Sequence, residues 1–163
     1  MVAYAYRMPA GIAGEVTRSN SAIVEPNLVN ASNPPLAFGV FVKMVSGLIN
    51  PIASGDTASV IYGVIVRPYP TSGSVASQGL GGGVPSTTDP ASILRVGYCN
   101  VKLARGTAVR GAPVYVRITA GSYALGDIED ATNLGGGQVV VTKATFMGSA
   151  DANGNVEIAY AID

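Results

Sequence analysis

Histidine and tryptophan are absent from this chain of 163 residues, cysteine occurs once, and charged residues make up only 12% of it. Without histidine, the usual general base for a serine or cysteine nucleophile is missing, and no side chain ordinarily titrates near neutrality. Cys99 has no second cysteine to pair with. It shares a strand face with Ile93, Val101 and Leu103, which predicts a buried structural thiol. Soluble domains run about a quarter charged, whereas hydrophobic residues here reach 48%. So little charge does not cover an ordinary monomer's surface, and much of that surface is expected to face other protein.

Ten basic and ten acidic residues cancel, which removes any overall attraction to nucleic acid or an anionic membrane. Neutrality also lowers repulsion between copies, which suits dense packing. Long apolar runs are missing too: Val60 to Val66 is far short of the roughly 20 residues of a membrane helix. The start, Met1 to Arg7, lacks the basic-then-apolar layout of a signal peptide. The expectation is a protein made and kept soluble in a cytoplasm-like compartment.

Glycine is plentiful, at 21 residues, and proline numbers 10. Residues 9 to 35 are punctuated by Pro9, Gly11, Gly14, Pro26, Asn30, Asn33, Pro34 and Pro35, and read as an extended arm or coil. Strand follows strand beyond it. Leu36 to Val45 puts Leu36, Phe38, Val40, Val42 and Met44 on one face, and Gly47 turns the chain into Leu48 to Asn50, ended by Pro51. Val60 to Arg67 is apolar on both faces, as in a strand buried on both sides. Ile93 to Leu103, Val114 to Thr119, Val139 to Met147 and Val156 to Ile162 complete the set, with a hairpin signal at Asp151 to Asn155. Only Asp89 to Leu94 suggests a short helical turn. The pattern predicts an all-β fold, an antiparallel barrel or a jelly-roll-like sandwich, with an extended N-terminal arm: residues 1–35 as the arm and 36–163 as one β domain.

Chemistry has few places to reside. Gln78 to Gly83 resembles a phosphate cradle, but Val84-Pro85-Ser86 follows it, with no helix and no lysine. The loop Thr71 to Thr88 is long for a compact domain and is expected to be mobile or held by a partner. Asp127, Glu129 and Asp130, with Asn133 nearby, form the one acidic cluster; their spacing matches no EF-hand, and they read as a solvated or partner-facing turn. Arg95, Lys102, Arg105, Arg110 and Arg117 form a local basic stretch, read either as solvated strand edges or as a surface for an acidic protein. No catalytic residue, metal site or cofactor is expected. Tyr4, Tyr6, Arg7 and Met8 belong to the residue types enriched at the centres of protein interfaces, and they suit a segment that lies on another subunit or forms a first strand of its own barrel.

Several segments are similar to the cement proteins of tailed-phage capsids: Tyr4 to Gly11, Ser32 to Pro35, Phe38 to Lys43, Tyr62 to Pro70, Pro113 to Arg117, Phe146-Met147 and Asn153 to Ile158. Arg67-Pro68-Tyr69-Pro70 is the most distinctive. The resemblance implies a β-rich, non-enzymatic protein, made in the host bacterial cytoplasm. It would bind the outside of a shell of the HK97 type and clamp neighbouring major capsid protein subunits against internal DNA pressure, as a dimer or trimer. Capsid contacts are expected from Tyr4, Tyr6, Arg7 and Met8, and from Arg67, Pro68 and Tyr69. Nucleic acid and membrane are not expected partners. The alternative reading is a virion-surface β domain that grips host glycans or envelope.

Overall fold

The computed structural model describes residues 11–68, 83–121, 123–130 and 137–162, without the side chains of 138–140 and 142. Among them are nine strands and no α-helix: β1 (Ile23–Asn27), β2 (Phe41–Val45), β3 (Leu48–Pro51), β4 (Ile61–Val66), β5 (Ala91–Arg105), β6 (Pro113–Arg117), β7 (Ile128–Glu129), β8 (Gln138–Phe146) and β9 (Asn155–Tyr160). Two short 3-10 turns, Ser19–Ser21 and Ala58–Val60, interrupt them.

The strands form two rolled sheets that share β5. Its second half pairs antiparallel with β9, from Gly97↔Tyr160 to Lys102↔Asn155, and parallel with β7 at Leu103↔Ile128. β7 pairs with β6, β6 with β8, and β8 with β9. These pairings close a ring, so the first sheet is a small barrel, and closure leaves it without free edges. The first half of β5 pairs with β1 and β4, β4 with β2, and β2 with β3. A single bridge, Val29↔Ile49, then ties the chain after β1 to β3 and rolls the second sheet on itself.

Two clusters of buried side chains follow from this. The larger joins the barrel interior (Cys99, Val101, Val114, Val116, Phe146, Val156 and Ile158) to one face of the second sheet (Phe41, Val64, Val66 and Leu94). The smaller fills the inside of the second sheet with Val29, Val42, Ile49, Ile65 and Ile93. β4 serves both, with Val64 and Val66 on one side and Ile65 on the other, as its two-sided apolar sequence predicts. On β5 the even-numbered Leu94 and the odd-numbered Cys99 reach the same cluster, so the inward face switches between them. Gly97 lies in that interval at φ 138°, where a Cβ would stand 3.0 Å from the Ala22 Cα. Glycine is the residue that allows the crossing.

Three details differ from the sequence pattern. Strand structure starts at Phe41 rather than Leu36, and Leu36 is 79% exposed, although Phe38 and Val40 do pack with Val42 and Met44 against the smaller cluster. Asp89 to Leu94 holds no helical turn: Ser86 Oγ accepts the N–H of Thr88 and Asp89, and Ala91 already opens β5. Within the expected coil, Ile23–Asn27 is a strand. Pro26 hides it from pattern reading without breaking it. Leu28 turns its carbonyl away from β5 to the Ile49 N–H, and backbone alternation aims the Pro26 nitrogen the same way, so no bond to β5 is lost.

Candidate interaction surface

Residues 14–17 lie along β5, on the side opposite β9. The Gly14 N–H donates to the Asn100 carbonyl (2.8 Å), the Asn100 N–H to the Glu15 carbonyl (2.9 Å) and the Thr17 N–H to the Tyr98 carbonyl (3.1 Å). Arg67, just after β4, holds the same stretch from its other side. Its backbone N–H donates to the Gly14 carbonyl (2.7 Å), its Nε–H to the Ala13 carbonyl (2.8 Å), and its guanidinium carbon lies 4.9 Å from the centre of the Phe38 ring. Burial pulls the Arg67 pKa below its usual value. Gly14, at φ 88°, touches Phe38 and Gly39 so closely that a Cβ would stand 2.6 Å from the Phe38 Cβ. Beside this junction opens a cleft of about 390 Å³, lined by Phe38, Val40, Arg67, Lys102, Asp127 and Ile128 among others.

A second clasp fastens the next residues. Arg18 spans both oxygens of Glu157 (Nε–Oε1 3.2 Å, Nη2–Oε2 2.9 Å), Thr17 Oγ1 donates to Oε1 at 2.6 Å, and the Arg18 guanidinium lies 3.9 Å above the Tyr98 ring. Burial disfavours the Glu157 charge, but the hydrogen bonds from Arg18 and Thr17 outweigh it and hold the carboxyl below its usual range.

Of the predicted contact residues, Arg67 and Pro68 sit at this junction, half-buried and exposed respectively. Tyr4, Tyr6, Arg7, Met8 and Tyr69 lie outside the described residues. Arg67, of the second predicted segment, is thus hydrogen-bonded to Ala13 and Gly14, a few residues after the first.

The acidic cluster, expected as a solvated or partner-facing turn, is divided: Asp127 and Asp130 serve turns, whereas Glu129 lies inside. Glu129 is fully buried and takes two hydrogen bonds from Arg117 (2.7 and 3.0 Å), Asp130 accepts the Thr107 N–H and Asp127 the Ala124 N–H. Among the described residues no group of three or more acidic or sulfur ligands gathers around a point. The basic stretch does not form one exposed patch, although Arg105 and Arg117 both lie over the Tyr123 ring. Arg117 is inside, Arg95 stacks on Tyr62 at 3.7 Å, Arg105 stacks on Tyr123 at 4.5 Å, and Lys102 and Arg110 are exposed. Burial pushes the Cys99 thiol up to about 12, which makes it a poor nucleophile. Sequence reading missed Ile23, Val24 and Leu28, large apolar side chains left exposed on and after β1; the signal was the alternation of Val24, Pro26 and Leu28 with Glu25 and Asn27.

Among curated proteins no match was found. A chain in the solved capsid of Myoviridae phage XM1 superposes with a TM-score of 0.70 over 96% of this chain and 94% of that one. At 22% identity, that likeness is one of fold. The family model for the XM1 gp53 minor capsid protein matches residues 1–160. An all-β chain matched to that family over nearly its full length belongs to the XM1 gp53 minor capsid protein family and is a structural protein of a phage capsid.

Proposed function

We propose that this capsid protein is a cement: it binds the exterior of a shell of the HK97 type and ties neighbouring major capsid protein subunits together, acting by added interface rather than by reaction. The observation that carries the reading is the junction of Ala13 and Gly14 with Arg67. It anchors the root of the N-terminal segment beside the Arg67-Pro68 segment, on strands that are themselves fixed in closed sheets. Roots fixed to each other at one point suit a clamp, because the chain at Gly14 and Arg67 has little ordering entropy left to lose on binding.

The mechanism is linkage: a protein that binds the assembled shell and not its free subunits stabilises the shell by its binding free energy. Repetition over a symmetric lattice multiplies weak contacts. Tyr4, Tyr6, Arg7 and Met8, with Arg67, Pro68 and Tyr69, are the proposed contacts. The test is sedimentation of the purified protein with expanded shells that lack it, over a concentration series. Saturation at a fixed ratio to coat protein is expected, and Tyr6→Ala with Arg7→Ala should lower occupancy while leaving the isolated protein's melting unchanged. Unchanged occupancy would remove the N-terminal segment from the interface.

A further inference from the structure

The turn between β8 and β9 places an exposed asparagine, Asn153, directly before a glycine that the fold requires. Asn153 is the one asparagine of the chain with glycine after it; leucine, valine, proline, serine or alanine follows the others. Gly154 stands at φ 81°, and a Cβ on it would lie 3.1 Å from the Leu103 carbonyl oxygen, so a side chain there is strained. Its own carbonyl accepts the Leu103 N–H at 2.8 Å, which ties the turn to β5. Packing thus fixes the glycine, and nothing attached to it shields its nitrogen from the Asn153 side chain.

An amide carbon so placed is open to attack. The Gly154 backbone nitrogen loses its proton and bonds to the Asn153 side-chain carbonyl carbon. The bond from that carbon to the side-chain nitrogen breaks, and ammonia leaves. Water then opens the cyclic imide at either carbonyl. One product is aspartate; the other is isoaspartate, whose backbone runs through the former side chain. Asp151 holds this reaction back. Its carbonyl accepts the Gly154 N–H at 3.0 Å, and its Oδ1 accepts the N–H groups of Asn153 and Asn155, each at 2.8 Å. The attacking nitrogen is hydrogen-bonded, the residues on both sides of it are pinned, and the carboxylate disfavours a second negative charge nearby. Attack waits on local opening of the turn.

We propose that Asn153 is a spontaneous modification site, converted to aspartate and isoaspartate by attack of the Gly154 nitrogen, and that Asp151 is the positioning residue that sets the rate by keeping the turn closed. The product carries a new negative charge beside Asp151. As isoaspartate it also changes the spacing by which Asp151 holds Asn153 and Asn155, at the start of β9 where Asn155 pairs with Lys102.

The experiment incubates wild type, Asp151→Ala, Asp151→Ser and Asn153→Gln at neutral and mildly alkaline pH, both folded and in denaturant. Peptide mass and isoaspartate content read conversion at Asn153, and melting of each variant establishes that the native samples are folded. Folded wild type should convert slowly, and faster at the higher pH. Folded Asp151→Ala should convert about tenfold or more faster, because a hydrogen bond to a charged acceptor shifts the opening equilibrium by that order. Asp151→Ser, whose hydroxyl still accepts an N–H, should fall between them. Asn153→Gln should show no conversion over the same period, and in denaturant wild type and Asp151→Ala should convert alike. Equal rates for folded wild type and both Asp151 variants would overturn the role of Asp151. An Asn153 left intact in every folded protein, while the denatured chain converts, would overturn the site. Should Asp151→Ala fail to fold, Asp151→Ser decides: a rate equal to wild type overturns the proposal, and a faster one supports it.

Discussion

Arg117 and Glu129 meet in the barrel wall with side chains 7% and 0% exposed. The hydrogen bonds that Arg117 donates to Glu129 raise its pKa against the opposing effect of burial. A buried pair of this kind gives little net stability over apolar side chains, yet removing one partner leaves a charge with no water to solvate it. Glu129→Ala should therefore destabilise the protein by about 3–5 kcal/mol in chemical denaturation, and Arg117→Met with Glu129→Leu by much less. Cys99 makes a second residue-level prediction. With its thiol pushed up to about 12 by burial, it should resist alkylation at pH 8 in the native protein and react readily in denaturant. The thiol was legible in the sequence because it sits on an apolar strand face. Glu129 was not, because its partner lies 12 residues away and its neighbours Asp127 and Asp130 serve turns.

At the scale of elements, the β2–β3 hairpin turns through Ser46 and Gly47, both at positive φ (51° and 79°). That is the two-residue turn whose twist suits a hairpin, and asparagine is the favoured first residue. Ser46→Asn should stabilise the protein by a few tenths to about 1 kcal/mol, read as a raised denaturation midpoint. The stretch 14–18 is an element held by acid-sensitive chemistry. Because the folded Glu157 carboxyl lies below its usual range, its contribution is complete above about pH 4.3, the ordinary glutamate value, and is lost as pH falls further through the folded value. Exchange of the Thr17 amide should accelerate below that pH, and Glu157→Gln should abolish the acid step. The hairpins and two-sided β4 were readable from local alternation and turn residues. β1 was not, because its outward face is apolar and carries a proline, the reverse of the pattern an ordinary solvent-facing strand shows.

At the scale of the whole molecule, β5 is the member common to both sheets, and its crossing at Gly97 fixes how they join. Gly97→Ala places a side chain at φ 138° against Ala22 and Leu94 and should cost about 1–3 kcal/mol, with the two sheets losing structure together because they share one strand. Barrel and sandwich were inseparable in the sequence because closure depends on non-local pairings, β5 with both β7 and β9, that no local pattern encodes. The scarcity of charge pointed to a part of an assembly and the resemblance to a capsid protein, but neither said which face meets which neighbour.

The most direct test of the cement account is calorimetric melting of expanded shells with and without saturating protein. The account predicts that the shell transition moves upward with occupancy and levels off when the sites are full. Saturated shells that melt at the same temperature as bare ones would contradict it, leaving a capsid protein that decorates without reinforcing.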